Sequence, residues 1–307
     1  MRYIEIKEDA KDDLSNVKLA QDYYNELVTR YKAEGKNSFK VLNTNTLTWD
    51  YDHDKDRVMW VVFKPLDEYP DLEVILEYPR EDEDPGGIFY SKDRWMVFRD
   101  SGEPGSKLGK QIVVFLDEHQ AKFMERDGKR MLSIEQTLKN KSVKNVIIHE
   151  LIHYFDYKRT DDKIGAGKSA IDAIQKWKTD KEVYYNTPTE FNAHFLEGLE
   201  RLMSSPFINE INAYNIMQNP QNFIKWAWDD TLFPQVIDKD YKRSTTTYEE
   251  RGGFWEREFV NHLNDRNKRR VYKRLLGVYN LLKERFKKDI DVDQPIPKSI
   301  INSIMKV

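Results

Sequence analysis

Two histidines and a glutamate interrupt a strongly apolar stretch of the chain, VIIHELIHYFDYK, between Val146 and Lys158. Residues four apart on a helix point in directions that differ by only about 40°, so the His149 and His153 imidazoles leave the same face. That spacing allows both rings to bind one zinc ion. Glu150 stands beside them, where it can take a proton from a metal-bound water without binding the metal. The HExxH pattern therefore predicts a hydrolytic zinc centre.

A core helix with two hydrogen-bonded histidines is the alternative explanation of this stretch. Burying three ionisable groups within five positions is costly unless a metal or polar partners compensate them. The residues around the pattern carry no charge, as a buried active-site helix requires: Val146, Ile147, Ile148, Leu151, Ile152, Tyr154 and Phe155. The cost of burial favours the metal site over the plain core helix.

Two histidines leave such a site incomplete, because a catalytic zinc ion usually has three protein ligands and one position for water. Arg159 occupies the sixth position after His153, so the HExxHxxGxxH pattern is absent. Asp156 is a rival third ligand, but it lies too close to the histidines on the same helix to complete a tetrahedron easily. The third ligand is therefore expected further along the chain.

Glu190 is the best-placed candidate, within the segment YYNTPTEFNAHFLEGLE. Thr187 as N-cap and Pro188 in the first turn predict that a new helix begins just before it. Ala193, one turn later, is small enough to let two helices approach. A first-turn glutamate favoured by the helix dipole is the alternative explanation. The predicted metal ligands are His149, His153 and Glu190.

The chain resembles zincin metallopeptidases of the gluzincin type, in which HExxH on one helix is followed by a glutamate ligand on a second. The tract YNTPTEFNA, from Tyr185 to Ala193, is similar to that of small and phage-encoded zinc peptidases, with a one-residue difference in spacing if Tyr184 is the family tyrosine. The resemblance covers roughly Gln111 to Leu202. It implies a protein or peptide substrate and an edge strand above the cleft, for which we predict Lys110 to Leu116.

Supporting residues are predicted around this site. Asp156 could hold an imidazole N–H, or it could simply be solvated. The phenol of Tyr185, or that of its neighbour Tyr184, could donate to a developing negative charge. Some gluzincins place an aspartate at the position of His194, and the histidine here could stabilise an oxyanion instead. For the tyrosines and His194 the alternative explanation is packing.

The elements around the site predict an α+β fold. An amphipathic helix is expected over residues 12–32, a mostly antiparallel sheet over 40–118, and the active-site helix over 143–158 with Ser142 as its N-cap. Helices are expected at 168–178 and 188–204, and the last hundred residues are expected to be helical. We predict a zincin-like catalytic core with an N-terminal helix over residues 1–205 and a C-terminal helical region over 206–307.

Composition narrows the function classes for this chain of 307 residues. The absence of cysteine excludes disulfides, thiol catalysis and thiolate metal ligands. The formal net charge of -3 gives no general attraction to nucleic acid or anionic membranes. No secretory signal and no apolar run of about 20 residues is visible, so we expect a cytoplasmic protein, or one of the host cytoplasm or virion if phage-encoded.

Two further function classes remain alternatives to a zinc peptidase. The first is a catalytically silent zincin fold that serves as a structural or host-interaction protein of a virus. The second is a DNA-associated module that uses the basic segment DRNKRRVYKRLL, Asp265 to Leu276, although such a segment is usually a solvated helix face. The presence of Glu150 favours the enzyme, because a catalytically inactive site has no need for a general base.

Overall fold

The computed structural model of the chain describes residues 3–42, 47–49, 58–79, 86–90, 110–126, 128–160, 179–204, 217, 219–228 and 254–289. The chain divides into two compact units: unit 1 comprises Met1–Ser15 and His194–Val307, and unit 2 comprises Asn16–Ala193. The predicted helix at 168–178 lies outside the described residues. The HExxH segment and Glu190 both belong to unit 2.

The predicted helices at 12–32, 143–158 and 188–204 are present among the described residues, and two short helices, over 134–139 and 181–186, were not predicted. The described helices are α1 (Tyr3–Glu34), a 3-10 turn (Gly35–Ser38), α2 (Ile134–Lys139), α3 (Lys141–Thr160), α4 (Lys181–Asn186), α5 (Pro188–Ser204), α6 (Pro220–Trp228), α7 (Arg257–His262) and α8 (Asp265–Asp289). Gly35 has a positive φ of 56° and ends α1, as glycine does at many helix C-termini. Every regular element described beyond residue 205 is a helix, as predicted.

The described strands all belong to unit 2. They are β1 (Phe39–Leu42), β2 (Thr48–Trp49), β3 (Met59–Phe63), β4 (Leu72–Tyr78), β5 (Gly87–Tyr90), β6 (Lys110–Phe115), β7 (Phe123–Arg126) and β8 (Lys129–Leu132). Five of them form a sheet in the order β1-β3-β4-β6-β5. Its pairs are antiparallel except for β4 with β6, which run parallel. The prediction of an α+β fold with a mostly antiparallel sheet is confirmed.

The prediction that Lys110 to Leu116 forms the edge strand is wrong. Strand β6 pairs with β4 on one side and with β5 on the other, so among the described strands β5 is the edge strand next to it. The error has a physical reason: position in a sheet depends on long-range pairing, which the order of strands along the chain does not determine.

Burial along the strands explains why the sheet takes this order. In β3, the buried Met59, Val61 and Phe63 alternate with half-buried residues, which is the pattern of a strand with one face in the core. Strand β4 is buried at nearly every position, and so is β6. Continuous apolar runs are typical of parallel strands covered on both faces, and these two strands form the parallel pair at the centre.

Polar side chains fix the helices of unit 2 against this sheet. Helix α3 packs on β5 and β6. Its Tyr154 donates a 2.9 Å hydrogen bond to Asp71, just before β4, and Lys110 of β6 donates to the same carboxylate at 2.5 Å. The Tyr24 hydroxyl of α1 donates to the Leu138 carbonyl at the end of α2. These bonds fix the helix that carries HExxH on one side of the sheet.

A second, smaller sheet of unit 2 was not predicted. It has the order β2-β8-β7, with antiparallel pairs throughout. Strands β7 and β8 form a hairpin in which Arg126 pairs with Lys129, and Gly128 between them has a positive φ of 72°. Short strands that carry charged residues have too little hydrophobic pattern to be recognised in the sequence.

The described part of unit 1 is helical. The Phe223 ring of α6 packs against Tyr279 of α8, with ring centroids 5.8 Å apart. Arg274 of α8 binds the Asp13 carboxylate through Nε at 2.6 Å and through a terminal guanidinium nitrogen at 2.5 Å. Within the described residues of the whole chain, no helix combines the length and apolarity that crossing a bilayer requires.

Candidate metal centre

Helix α3 presents His149, Glu150 and His153. It begins at Lys141, where the Asn140 side-chain oxygen accepts the Ser142 backbone N–H at 2.9 Å. The predicted cap was therefore wrong by two residues, and the Ser142 hydroxyl instead accepts a hydrogen bond from Gln120. His149 and Glu150 are buried, with 8% and 6% exposure.

Helix α5 brings Glu190 to the same place. Pro188 begins this helix, and the Thr187 carbonyl accepts its first backbone hydrogen bond from Phe191 at 2.9 Å. The Thr187 hydroxyl donates to the Tyr184 carbonyl and so secures the junction with α4. Glu190 is only 5% exposed, and Ala193 one turn later is fully buried.

The three predicted ligands converge in the structure. His149 Nε2 lies 3.6 Å from Glu190 Oε2, and His153 Nε2 lies 3.6 Å from Glu190 Oε1. The two imidazole centroids are 4.9 Å apart and nearly perpendicular. One ligand atom from each residue lies within 4.8 Å of those of the other two. Glu190, which is 37 positions after His153 in the chain, thus meets the two imidazoles in a compact group.

Charge coupling within this group changes the protonation of its members. Burial disfavours the ionised form of Glu190, but His153 and His149 outweigh it and hold the pKa of Glu190 well below its usual range. Burial also disfavours protonation of His153, yet the negative charge of Glu190 raises the His153 pKa. The carboxylate is therefore ionised at neutral pH, which is the form that binds a cation.

The separations suit a metal ion better than they suit direct hydrogen bonds. A hydrogen bond between these groups would measure about 2.7–2.9 Å. Ligand atoms at the corners of a tetrahedron around zinc stand about 3.3 Å apart, given bonds of about 2.0–2.1 Å. The two 3.6 Å distances are closer to the second value. Glu190 Oε2 is buried and has no hydrogen-bond partner among the described residues, so the group fits a cation between its members.

Glu150 lies beside this group and against the edge strand. Burial raises its pKa most, while the nearby His149 and His153 lower it, and the net shift is upward. The Phe89 backbone of β5 also forms a hydrogen bond with this carboxylate. A Cβ added at Gly87 would lie 2.5 Å from Val146 Cγ1 and 3.1 Å from Glu150 Cγ. The bare backbone of Gly87 is therefore what lets β5 approach α3 so closely.

Gly87 and Phe89 were not among the predicted site residues. The GG dipeptide before a short apolar run was the available signal, since glycine in a strand often marks the close approach of another element. Nothing in the sequence says which element approaches, because that depends on the position of β5 at the sheet edge.

The phenol next to the carboxylates is that of Tyr184. Burial raises the Tyr184 pKa well above its usual value, and the charge and hydrogen bonding of Glu190 and then the charge of Glu150 add to the effect. Tyr185 is buried, with its ring centroid 4.9 Å from that of Tyr184. The catalytic role predicted for Tyr185 stays a prediction, and the structure directs attention to Tyr184.

Asp156 and His194 make different contacts in the structure. Asp156 accepts hydrogen bonds from Asn16 of α1 and Asn192 of α5, both within unit 2. His194 belongs to unit 1, where its ring stacks on Phe259 at a centroid distance of 5.4 Å and its Nδ1 lies 3.7 Å from Glu197 Oε2. The roles predicted for both residues stay predictions.

The basic segment of unit 1 forms the first half of α8. Its exposed basic residues are Arg266, Lys268, Arg269, Arg270 and Lys273. Arg274 is paired with Asp13 and takes no part in that exposed set. A solvated helix face accounts for this arrangement.

Comparisons with known proteins give no relative: no family model, no curated protein and no solved structure matches this chain. The resemblance to zincins therefore stays a prediction that rests on the HExxH motif and the tract around Glu190. The remaining observation that bears on function is the convergence of His149, His153 and Glu190.

Proposed function

We propose that this protein is a zinc-dependent metallopeptidase whose site is formed by His149, His153 and Glu190. The observation that carries the proposal is the convergence of two imidazoles on one buried carboxylate at 3.6 Å each, with a second buried carboxylate, Glu150, beside them. A zinc ion bound there would supply a positive charge that polarises a carbonyl group and lowers the pKa of a bound water.

The donor set supports zinc over Mg²⁺ and Ca²⁺. Two imidazoles and one carboxylate suit Zn²⁺, whereas Mg²⁺ and Ca²⁺ prefer oxygen donors alone. The chain has no cysteine, so a thiolate site is excluded. Three protein ligands leave one position for water or substrate, which is the arrangement of catalytic rather than structural zinc sites.

Glu150 is the general base of the proposed reaction. Its carboxylate takes a proton from the water that attacks the peptide carbonyl carbon, and it returns that proton to the nitrogen of the leaving amine as the C–N bond breaks. The raised pKa that burial gives Glu150 makes it a better proton acceptor than an exposed glutamate. The hydrogen bond from the Phe89 backbone orients the carboxylate.

Tyr184 and β5 complete the proposed site. The Tyr184 hydroxyl, which its raised pKa keeps protonated, is a donor for the negative charge that develops on the carbonyl oxygen. Among the described strands, β5 pairs with β6 on one side only. A peptide substrate can add to such an edge as a further antiparallel strand, with its backbone held next to Glu150.

The test compares wild-type protein with a Glu150→Gln variant in zinc binding and in casein hydrolysis. The amide cannot accept the proton, so we expect hydrolysis to fall by a factor of about 10²–10⁴. Zinc stoichiometry should be unchanged, because Glu150 is not a proposed ligand. Glu182→Gln is the matched control: it removes an exposed glutamate from the neighbouring α4 and should change neither property.

Each outcome separates the candidate functions. Hydrolysis that stops on chelation, returns with zinc and depends on Glu150 supports the peptidase. Equal cleavage by wild type and Glu150→Gln would eliminate the proposed base. Stoichiometric zinc without any hydrolysis by the wild type would favour the catalytically silent fold, and absence of zinc binding would rule out the metal site altogether.

A further inference from the structure

One carboxylate joins unit 2 residues of three helices close to the proposed metal site. Asp156 of α3 accepts a hydrogen bond at Oδ1 from Asn16 Nδ2 of α1, at 3.3 Å. Its Oδ2 accepts a hydrogen bond from Asn192 Nδ2 of α5. The Arg159 guanidinium lies 3.5 Å from Oδ1. Asp156 is only 14% exposed, and Asn16 is buried, so these bonds to a charged acceptor are shielded from water.

The Asp156–Asn192 hydrogen bond lies close to the proposed metal ligands along both helices. Asp156 lies three residues after His153, and Asn192 lies two residues after Glu190. At a rise of about 1.5 Å per residue, the bond joins α3 and α5 within about 5 Å, along each helix axis, of the ligands that those helices carry. A slip or rotation of α5 at this bond would therefore displace the Glu190 carboxylate by a similar amount.

We infer that Asp156 and Asn192 are positioning residues of the metal centre. Their bond sets the rotation and height of α5 on α3, so that Glu190 reaches the space between His149 and His153. Metal–ligand distances tolerate deviations of only about 0.2 Å, so a loosely held helix would bind the ion poorly. The inference rests on the proposed function, because the ligands it positions are those of the proposed zinc site.

The experiment exchanges the side chains of Asp156 and Asn192, singly and together. The zinc affinity of each variant is measured by competition with a chromophoric chelator. Asn192→Asp places two carboxylates opposite each other, and we expect zinc affinity to fall by about 10- to 100-fold. Asp156→Asn places two amides opposite each other; they can still form one weaker hydrogen bond, so the loss should be smaller. The double variant Asp156→Asn/Asn192→Asp restores a donor facing a carboxylate.

In the double variant, the amide introduced at position 156 donates to the carboxylate introduced at position 192. Its oxygen can still accept from Asn16 and Arg159. We expect zinc affinity to return to within about threefold of wild type, because the bond between α3 and α5 is remade with its polarity reversed. Zinc affinity is measured on protein that circular dichroism shows to be folded, so a loss that the exchange recovers reports on the geometry of the site and not on general stability.

Glu73 and Gln111 provide a matched control within the same unit. Gln111 Nε2 of β6 donates to Glu73 Oε2 of β4 at 2.8 Å, and both residues are buried. This pair has the same amide-to-carboxylate chemistry but joins two strands instead of the ligand helices. Glu73→Gln and Gln111→Glu should lower the free energy of unfolding while leaving zinc affinity of the folded protein unchanged.

The outcomes distinguish this inference from the proposed function. A wild-type protein that binds no zinc overturns both. A wild type that binds zinc, with no loss in Asp156→Asn or no recovery in the double variant, overturns the positioning role alone. If Asn192→Asp does not fold, circular dichroism reveals it, and the comparison of Asp156→Asn with the double variant still decides the question.

Discussion

Both units bury a group of ionisable side chains, and the two groups differ in how their charges meet. In unit 1, the Arg201 guanidinium contacts the Glu197 carboxylate directly and also donates to the Phe254 carbonyl at 3.2 Å. In unit 2, His149 and His153 each face Glu190 at 3.6 Å, beyond hydrogen-bonding distance.

This difference separates a structural group of charges from a candidate binding site. A cation and an anion in direct contact compensate each other's desolvation, so the unit 1 pair needs no further ion. The unit 2 group leaves its donors converging on a common point, and a bound cation would compensate them. We therefore expect the unit 1 pair to control stability, and the unit 2 group to control metal binding.

The largest expected effect is that of Arg201→Met in unit 1. The substitution removes the guanidinium that contacts the buried Glu197 carboxylate, and removal of one member of a buried ion pair costs about 3–5 kcal/mol. Urea unfolding followed by circular dichroism measures the loss, and zinc affinity of the folded protein should stay unchanged. A loss below about 1 kcal/mol, the range of an exposed pair, would contradict the structural role assigned to Arg201.

Glu190→Gln should change zinc binding, the property that Arg201→Met leaves unchanged. Zinc at 100 times its dissociation constant stabilises a protein that binds it only when folded by about 2.7 kcal/mol. We expect the wild type to show this gain and Glu190→Gln to lose it, because an amide is a poor ligand and carries no charge. Thermal unfolding with and without zinc measures the difference, and the exposed Glu182→Gln is the control. Full zinc stabilisation of Glu190→Gln would remove Glu190 from the ligand set.

Gly87→Ala tests the close approach of β5 to the helix that carries the unit 2 group. The added methyl group would stand 2.5 Å from Val146 Cγ1, and overpacking of this kind costs about 1–3 kcal/mol. Val146→Ala removes the opposing methyl groups, so the double variant should be more stable than the sum of the two single changes predicts. Additive losses in urea unfolding would show that the two elements are not in contact.

Tyr24→Phe should have the smallest effect, because it removes a neutral hydrogen bond of unit 2 instead of a charge. Loss of the bond to Leu138 should cost about 1 kcal/mol at neutral pH. Burial raises the Tyr24 pKa to about 12, so its hydroxyl stabilises the fold fully below pH 10.0 and loses that contribution as pH rises toward 12.

The wild type should therefore lose more stability than Tyr24→Phe between about pH 8 and pH 11. Urea midpoints at the two pH values measure the difference. Tyr272→Phe, which changes an exposed tyrosine of α8, is the control. Parallel loss in wild type and Tyr24→Phe would contradict the assigned burial.

Local patterns explain what could be predicted from the sequence. His149, Glu150 and His153 share a helix turn, so their common face follows from the period of the helix alone. Pro188 marks the start of α5, and the predicted span of 188–204 agrees with Pro188–Ser204. The ligand role of Glu190 could be stated because few other donors were available, and the structure brings that carboxylate to the two imidazoles.

Non-local pairing explains what could not be predicted. Of the strands that the structure describes, β5 and not β6 is at the edge, and the parallel contact of β4 with β6 cannot be read from either strand alone. Tyr184 lies next to Glu190, although Tyr185 follows it directly, because the rotation of α4 decides which ring faces the site. The sequence left open whether Asp156 holds an imidazole N–H or is solvated, and in the structure it accepts hydrogen bonds from Asn16 and Asn192 of two other helices.

The amino-acid sequence by itself determined the chemical groups of this protein and their arrangement along each helix, because side-chain direction within a helix depends only on neighbouring residues. The tertiary structure alone decided which groups meet: the 3.6 Å approach of Glu190 to His149 and His153, the contact of Gly87 with α3, and the tie through Asp156. Those distances depend on how helices and strands pack across the whole unit, and packing is a property of the folded chain.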